Sequence, residues 1–129
     1  MASAPLWFLG FGVAEPFASD PLARGLAAAG LSLYPLDGDG PHGPGIVVFG
    51  EVSDELCAFV REASGGASER VLAVAATPEA LADGAAWRLL RAGASVVLPR
   101  ARPGGDATAE VAARFGRWAE VDRAVDSPQ

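Results

Sequence analysis

The chain is poor in the residues that usually carry chemistry. It has one cysteine and one histidine, and all ten of its lysine-or-arginine positions are arginine. A lone Cys57, set in an apolar helical pattern, excludes an intrachain disulfide scaffold and suits a reducing cytoplasm. With His42 the only histidine, a conventional Cys–His or Ser–His nucleophile pair has little to be built from. No apolar run approaches the roughly 20 residues needed to span a membrane, and the N-terminus lacks the basic start of a signal peptide. Sixteen acids against ten arginines give a net charge of −6 without a basic cluster, a poor basis for binding nucleic acid.

What the chain does have is apolar residues, which make up 50% of its 129 positions, enough for one domain with one core. The abundance of Ala, Gly and Arg is compatible with a GC-rich bacterial genome. Five short apolar runs, over residues 6–10, 31–36, 46–49, 70–75 and 95–98, alternate with helical patterns. Asp20 is placed to cap a helix over 21–29 that Gly30 stops. Pro35 marks the second run as an edge strand or an early strand end, and the Gly- and Pro-rich residues 37–44 read as a loop. Ile46-Val-Val-Phe49 is continuously apolar, as expected of a parallel strand covered on both faces.

Ser53, followed by Asp54 and Glu55, opens a helix that runs to about Ala63. After Thr77-Pro-Glu79, apolar residues recur at four-residue spacing up to Ala92, where Gly93 ends the helix. A last helical pattern runs from about Asp106 to Val125. Alternating strands and helices of this kind predict an α/β fold, a parallel sheet with helices on both faces.

Candidate sites are few. Gly10-Phe-Gly12 after a strand, with Asp37 further on, is a partial dinucleotide motif, but Glu15 replaces its third glycine and would repel a pyrophosphate. Tight-turn glycines are the plainer reading. His42, Asp37 and Asp39 share a Gly-rich loop that reads as a solvated turn, so no metal or other cofactor is expected. Thr77 and Ser95 read as turn hydroxyls. Val111, Phe115, Trp118, Val121 and Val125 hold one face of the last helix. They either close the core or continue, with Trp87 and Leu90, into a contact or homodimer surface.

The stretch Gly93-Ala-Ser-Val-Val-Leu-Pro-Arg100, together with the 79–92 helix and the strand ending at Gly50, resembles the receiver domains of response regulators. That resemblance implies a three-layer αβα sandwich, CheY-like and flavodoxin-like, with five parallel strands in the order 2-1-3-4-5 and five flanking helices. It also implies where a phosphorylation pocket would lie, and here each position is degenerate. The acidic pair falls at Gly10 and Phe11, the acceptor aspartate at Gly50, the Ser/Thr at Ala75 or Ala76, and the lysine at Arg100, displaced past Pro99. Glu51, one residue beyond the acceptor position, is expected on the opposite side of the local pattern, which makes a permanent charge mimic a secondary hypothesis.

The tail Arg117-Trp-Ala-Glu-Val-Asp-Arg-Ala-Val-Asp-Ser-Pro128 resembles the junction after the N-terminal domain of bacterial sigma-54-dependent transcription activators. On that resemblance residues 1–119 form a regulatory domain, and 120–129 extend the last helix into a linker. Its partner would be a downstream AAA+ domain. A non-phosphorylatable module working through protein contacts is thus expected, with the 79–92 helix, the fifth strand and the last helix as its face. The alternative is a small-ligand or nucleotide sensor using the Gly10–Gly12 loop and a cleft at Gly50.

Overall fold

The computed structural model describes residues 6–11, 21–36, 43–65, 69–99, 101–102, 105–106 and 108–126. In chain order the elements are β1 (Leu6–Phe11), α1 (Pro21–Ala28), β2 (Leu33–Pro35), β3 (Gly45–Phe49), α2 (Asp54–Ser64) and β4 (Val71–Ala75). A 3-10 helix (Pro78–Gly84), α3 (Ala85–Ala92), β5 (Val96–Pro99), a small antiparallel hairpin β6 (Ala101–Arg102) and β7 (Gly105–Asp106), and α4 (Thr108–Asp126) complete the chain. The main sheet is all parallel, in the order β2-β1-β3-β4-β5. The expected topology is therefore present.

The two central strands explain the order. Every residue of β3 and of β4 is buried, so each needs a strand on both sides and a helix layer above and below. Their side chains alternate between the two faces. Ile46, Val48, Leu72 and Val74 join Leu22, Leu26, Val111 and Phe115 of α1 and α4. On the other face, Val47, Phe49, Val71 and Ala73 join Leu56 and Val60 of α2 and Leu89 of α3. β2 is a three-residue edge strand ending at Pro35, as that proline predicts.

Two expectations change. Among the described residues there are four α-helices and one 3-10 helix, not five α-helices. In the implied layout a helix would fall between β2 and β3; the described residues of that connection, Leu36 and 43–44, are not helical, and 37–42 lie outside the described residues. Parallel crossovers usually take a dozen residues or more, and the shortness of β2 reduces the distance to be returned. The helix expected up to Ala92 is also divided. Its first part is 3-10, and the backbone at Gly84 takes φ 76° before α3 begins.

Local signals are confirmed elsewhere. Ser53 Oγ accepts a hydrogen bond from Leu56 N at 3.1 Å, with Asp54 and Glu55 in the first turn of α2. That satisfies one of the amides a helix start leaves unpaired. Gly93 closes α3 at φ 124°, and Cys57 is buried in the core against α2's neighbours.

Candidate functional site

Parallel α/β sheets present ligands and chemistry at the carboxyl ends of their strands. Here those ends are tied together by backbone. Gly50 N donates to Phe11 O at 3.3 Å, and Ala76 N donates to Phe49 O at 2.8 Å. This brings Gly10 and Phe11, Gly50, and Ala75 and Ala76 to one edge, as the topology implies. Arg100 lies outside the described residues, as do Gly12, Asp37, Asp39 and His42.

The character of that edge is apolar. Phe11 packs on the α2 side of the sheet, its ring 6.1 Å from that of Phe59, and Phe59 in turn meets Trp7 edge-on at 5.6 Å. An aromatic ring therefore stands at the carboxyl end of β1. Ala75 is fully buried and Gly50 has no side chain. None of these five residues bears a carboxylate, hydroxyl or amine.

Beside this edge lies a cleft of about 430 Å³, lined among others by Gly50, Glu51, Thr77, Glu79 and Arg88. Glu51 lines the same cleft as Gly50. β3 ends at Phe49, two residues before it. Arg88 donates to Asp54 Oδ1 at 2.6 Å, linking α3 to the first turn of α2. Two carboxylates, one hydroxyl and one guanidinium can orient a small polar molecule by hydrogen bonds, but they supply no activated nucleophile. Among the described residues no group of three or more His, Cys, Asp or Glu side chains comes together to hold a metal ion.

The other hydroxyl considered, Ser95, is at the opposite edge of the sheet, where its Oγ accepts from Val71 N at 3.3 Å. It joins β4 to the start of β5 and has no part in the cleft.

The proposed contact residues separate into two groups. Val111 is fully buried and Phe115 nearly so, both in the core with α1. They pack the domain and offer no surface. Trp118 packs on that core edge-on to Phe115 at 5.0 Å, with the Arg70 guanidinium 5.2 Å from its ring centroid. Trp87 and Leu90 are different: 68% and 38% exposed, they project from α3. The side chains of Val121 and Val125 lie outside the described residues.

Sequence reasoning did not single out Arg70, Arg88, Arg91 and Arg114, which gather around α3 and α4. Arg88 and Arg91 carried a readable signal in Trp87-Arg-Leu-Leu-Arg91, where arginines three apart share a helix side. Arg70 and Arg114 carried none, because only the fold brings them near α3. No family model matches the chain, and no curated protein is significantly similar to it.

Proposed function

We propose that this chain is a receiver-like regulatory domain that does not accept phosphate and acts through protein–protein contacts. The observation that carries the reading is the combination of the 2-1-3-4-5 parallel sheet with carboxyl ends occupied by Phe11, Gly50 and Ala75. Aspartyl phosphorylation needs a carboxylate nucleophile and, as a rule, a divalent ion to neutralise the phosphoryl oxygens. The strand ends described here offer neither the nucleophile nor the acids that would hold the ion.

In this reading the domain controls a sigma-54-dependent transcription activator in the bacterial cytoplasm. It works against a downstream AAA+ domain and performs no catalysis of its own. A buried free Cys57 is compatible with that compartment. Among the described residues no helix is long and apolar enough to cross a membrane. The test is intact-mass measurement after incubation with acetyl phosphate and Mg²⁺. No gain of a phosphoryl group is expected, and a stable gain at an aspartate would overturn the reading.

A second reading is favoured by one specific observation, the cleft at Gly50. A small polar ligand seated between Glu51, Thr77 and Arg88 would make the domain a sensor. Calorimetry with common nucleotides separates the two. Saturable binding that is lost in Gly50→Leu would establish the sensor.

A further inference from the structure

We propose that the cleft beside Gly50 binds a short aliphatic diamine in its ammonium form. The inference rests on the sensor reading above and names the chemical class of its ligand.

Three segments build the cleft. Glu51 follows β3, Thr77 and Glu79 open the 3-10 helix, and Arg88 comes from α3. Thr77 holds the N-cap position with an extended backbone, φ −133° and ψ 153°, yet its side chain caps no helix amide. An N-cap threonine ordinarily spends that oxygen on the amide two or three residues on. Here the hydroxyl is left to the cleft that Thr77 lines.

The charges decide the class of ligand. Glu51 and Glu79 are exposed, and neither forms a salt bridge or side-chain hydrogen bond among the described residues. Arg88 also lines the cleft, but it already meets Asp54 Oδ1 at 2.6 Å. Glu51, Glu79 and Asp54 together leave the site formally negative against Arg88. A nucleotide phosphate would enter against those carboxylates, whereas a cation is drawn to them. An alkylamine, with a pKa near lysine's value of about 10.4, is cationic at neutral pH and presents N–H donors to carboxylate and hydroxyl oxygens.

The rest of the lining suits a carbon chain. Val52, Ala80, Ala82 and Ala85 present methyl groups, and Gly50 presents no side chain, within about 430 Å³. Apolar walls with a few polar groups are the usual make-up of a small-molecule site. Two unpaired carboxylates favour two ammonium groups over one. A divalent metal ion fits less well, since it takes about six oxygen ligands and no group of three or more His, Cys, Asp or Glu converges among the described residues.

The test is titration calorimetry of the full chain with putrescine, the four-carbon diamine, and with butanediol, its uncharged analogue. Salt at about 0.15 M screens charges more than about 8 Å apart. Putrescine should bind saturably and butanediol should not. Glu51→Gln and Glu79→Gln should each weaken putrescine roughly three- to fivefold, the effect of one exposed ion pair, and the double variant about tenfold or more. Glu62→Gln removes the same charge from an exposed position of α2 outside the cleft and should change nothing. Circular dichroism confirms that each variant is folded.

Absence of putrescine binding overturns the proposal, as does equal binding of butanediol. An equal loss in Glu62→Gln would reduce the effect to the net charge of −6 and overturn it too. So would Mg²⁺ binding more tightly than putrescine through the same two glutamates. A nucleotide that binds saturably and is lost in Gly50→Leu would overturn the diamine and leave the sensor reading standing. If neither nucleotide nor putrescine binds, both fail, so the two failures are distinguishable.

Discussion

The indole of Trp7 lies directly over Gly45, its register partner across β1 and β3, so that a methyl group there would occupy the space of the ring. Trp7 is fully buried, and its Nε1 donates to Gly43 O at 3.0 Å. Through Phe59 the same ring extends to Phe11 at the carboxyl edge. The aromatic seam that runs to the carboxyl edge is therefore anchored at the other end of its strand by a glycine.

Gly45→Ala is accordingly expected to destabilise the domain by about 1–3 kcal/mol, the usual cost of overpacking a filled core. Urea denaturation monitored by tryptophan fluorescence measures it. An unchanged midpoint would show that the ring can move aside without loss.

Gly93→Ala combines two penalties. The backbone there has φ 124°, which side chains of L-residues rarely adopt, and the added Cβ would collide with the fully buried Ser64 side chain. Ser64→Ala removes the hydroxyl but not the backbone strain, and it also removes the Ser64 Oγ bond to Arg61 O at 3.2 Å. The double variant should therefore recover only part of what Gly93→Ala loses in thermal melting. Full recovery would assign the whole effect to the collision.

The two tryptophans of the suspected surface should behave oppositely. Trp118, packed between Phe115 and Arg70, is expected to cost about 2 kcal/mol on truncation to Ala, from lost apolar burial and aromatic contact. Trp87→Ala removes a side chain that is 68% exposed and should leave the unfolding midpoint nearly unchanged. Denaturation of both variants checks this directly. Equal losses would mean that Trp87 supports the core.

These contrasts also mark what the sequence could and could not reveal. A central strand could be told from an edge one because Ile46-Val-Val-Phe49 is apolar at every position while 33–35 ends at a proline; the full strand order came only from the receiver resemblance. The Ser53 cap was legible because capping acts within four residues. The face of α4 was not, since Val111 and Phe115 share one stripe with Trp118 and periodicity does not say where the sheet ends beneath it. The arginine cluster joins Arg70 to α3 and α4, a juxtaposition made only by tertiary packing.

On the proposed receiver-like reading, adding one acid at residue 50 should not confer phosphorylation. Gly50→Asp places a carboxylate where the proposed reading puts the acceptor, yet Phe11 remains packed on Phe59 at the end of β1, and Ala75 and Ala76 provide no hydroxyl. Phosphoryl transfer depends on positioning and on neutralising charge over three oxygens, and the aromatic end of β1 contributes to neither, although Thr77 and Arg88 line the cleft at residue 50. Intact-mass measurement of Gly50→Asp after acetyl phosphate and Mg²⁺ is expected to show the unmodified protein. Phe11→Asp would bring an acid to the end of β1 but take away the ring that packs on Phe59, so it is expected to lower the melting temperature before it gains any affinity for Mg²⁺. If Gly50→Asp alone takes up phosphate, the pocket is a receiver site missing one residue, and the aromatic seam is not what blocks its chemistry.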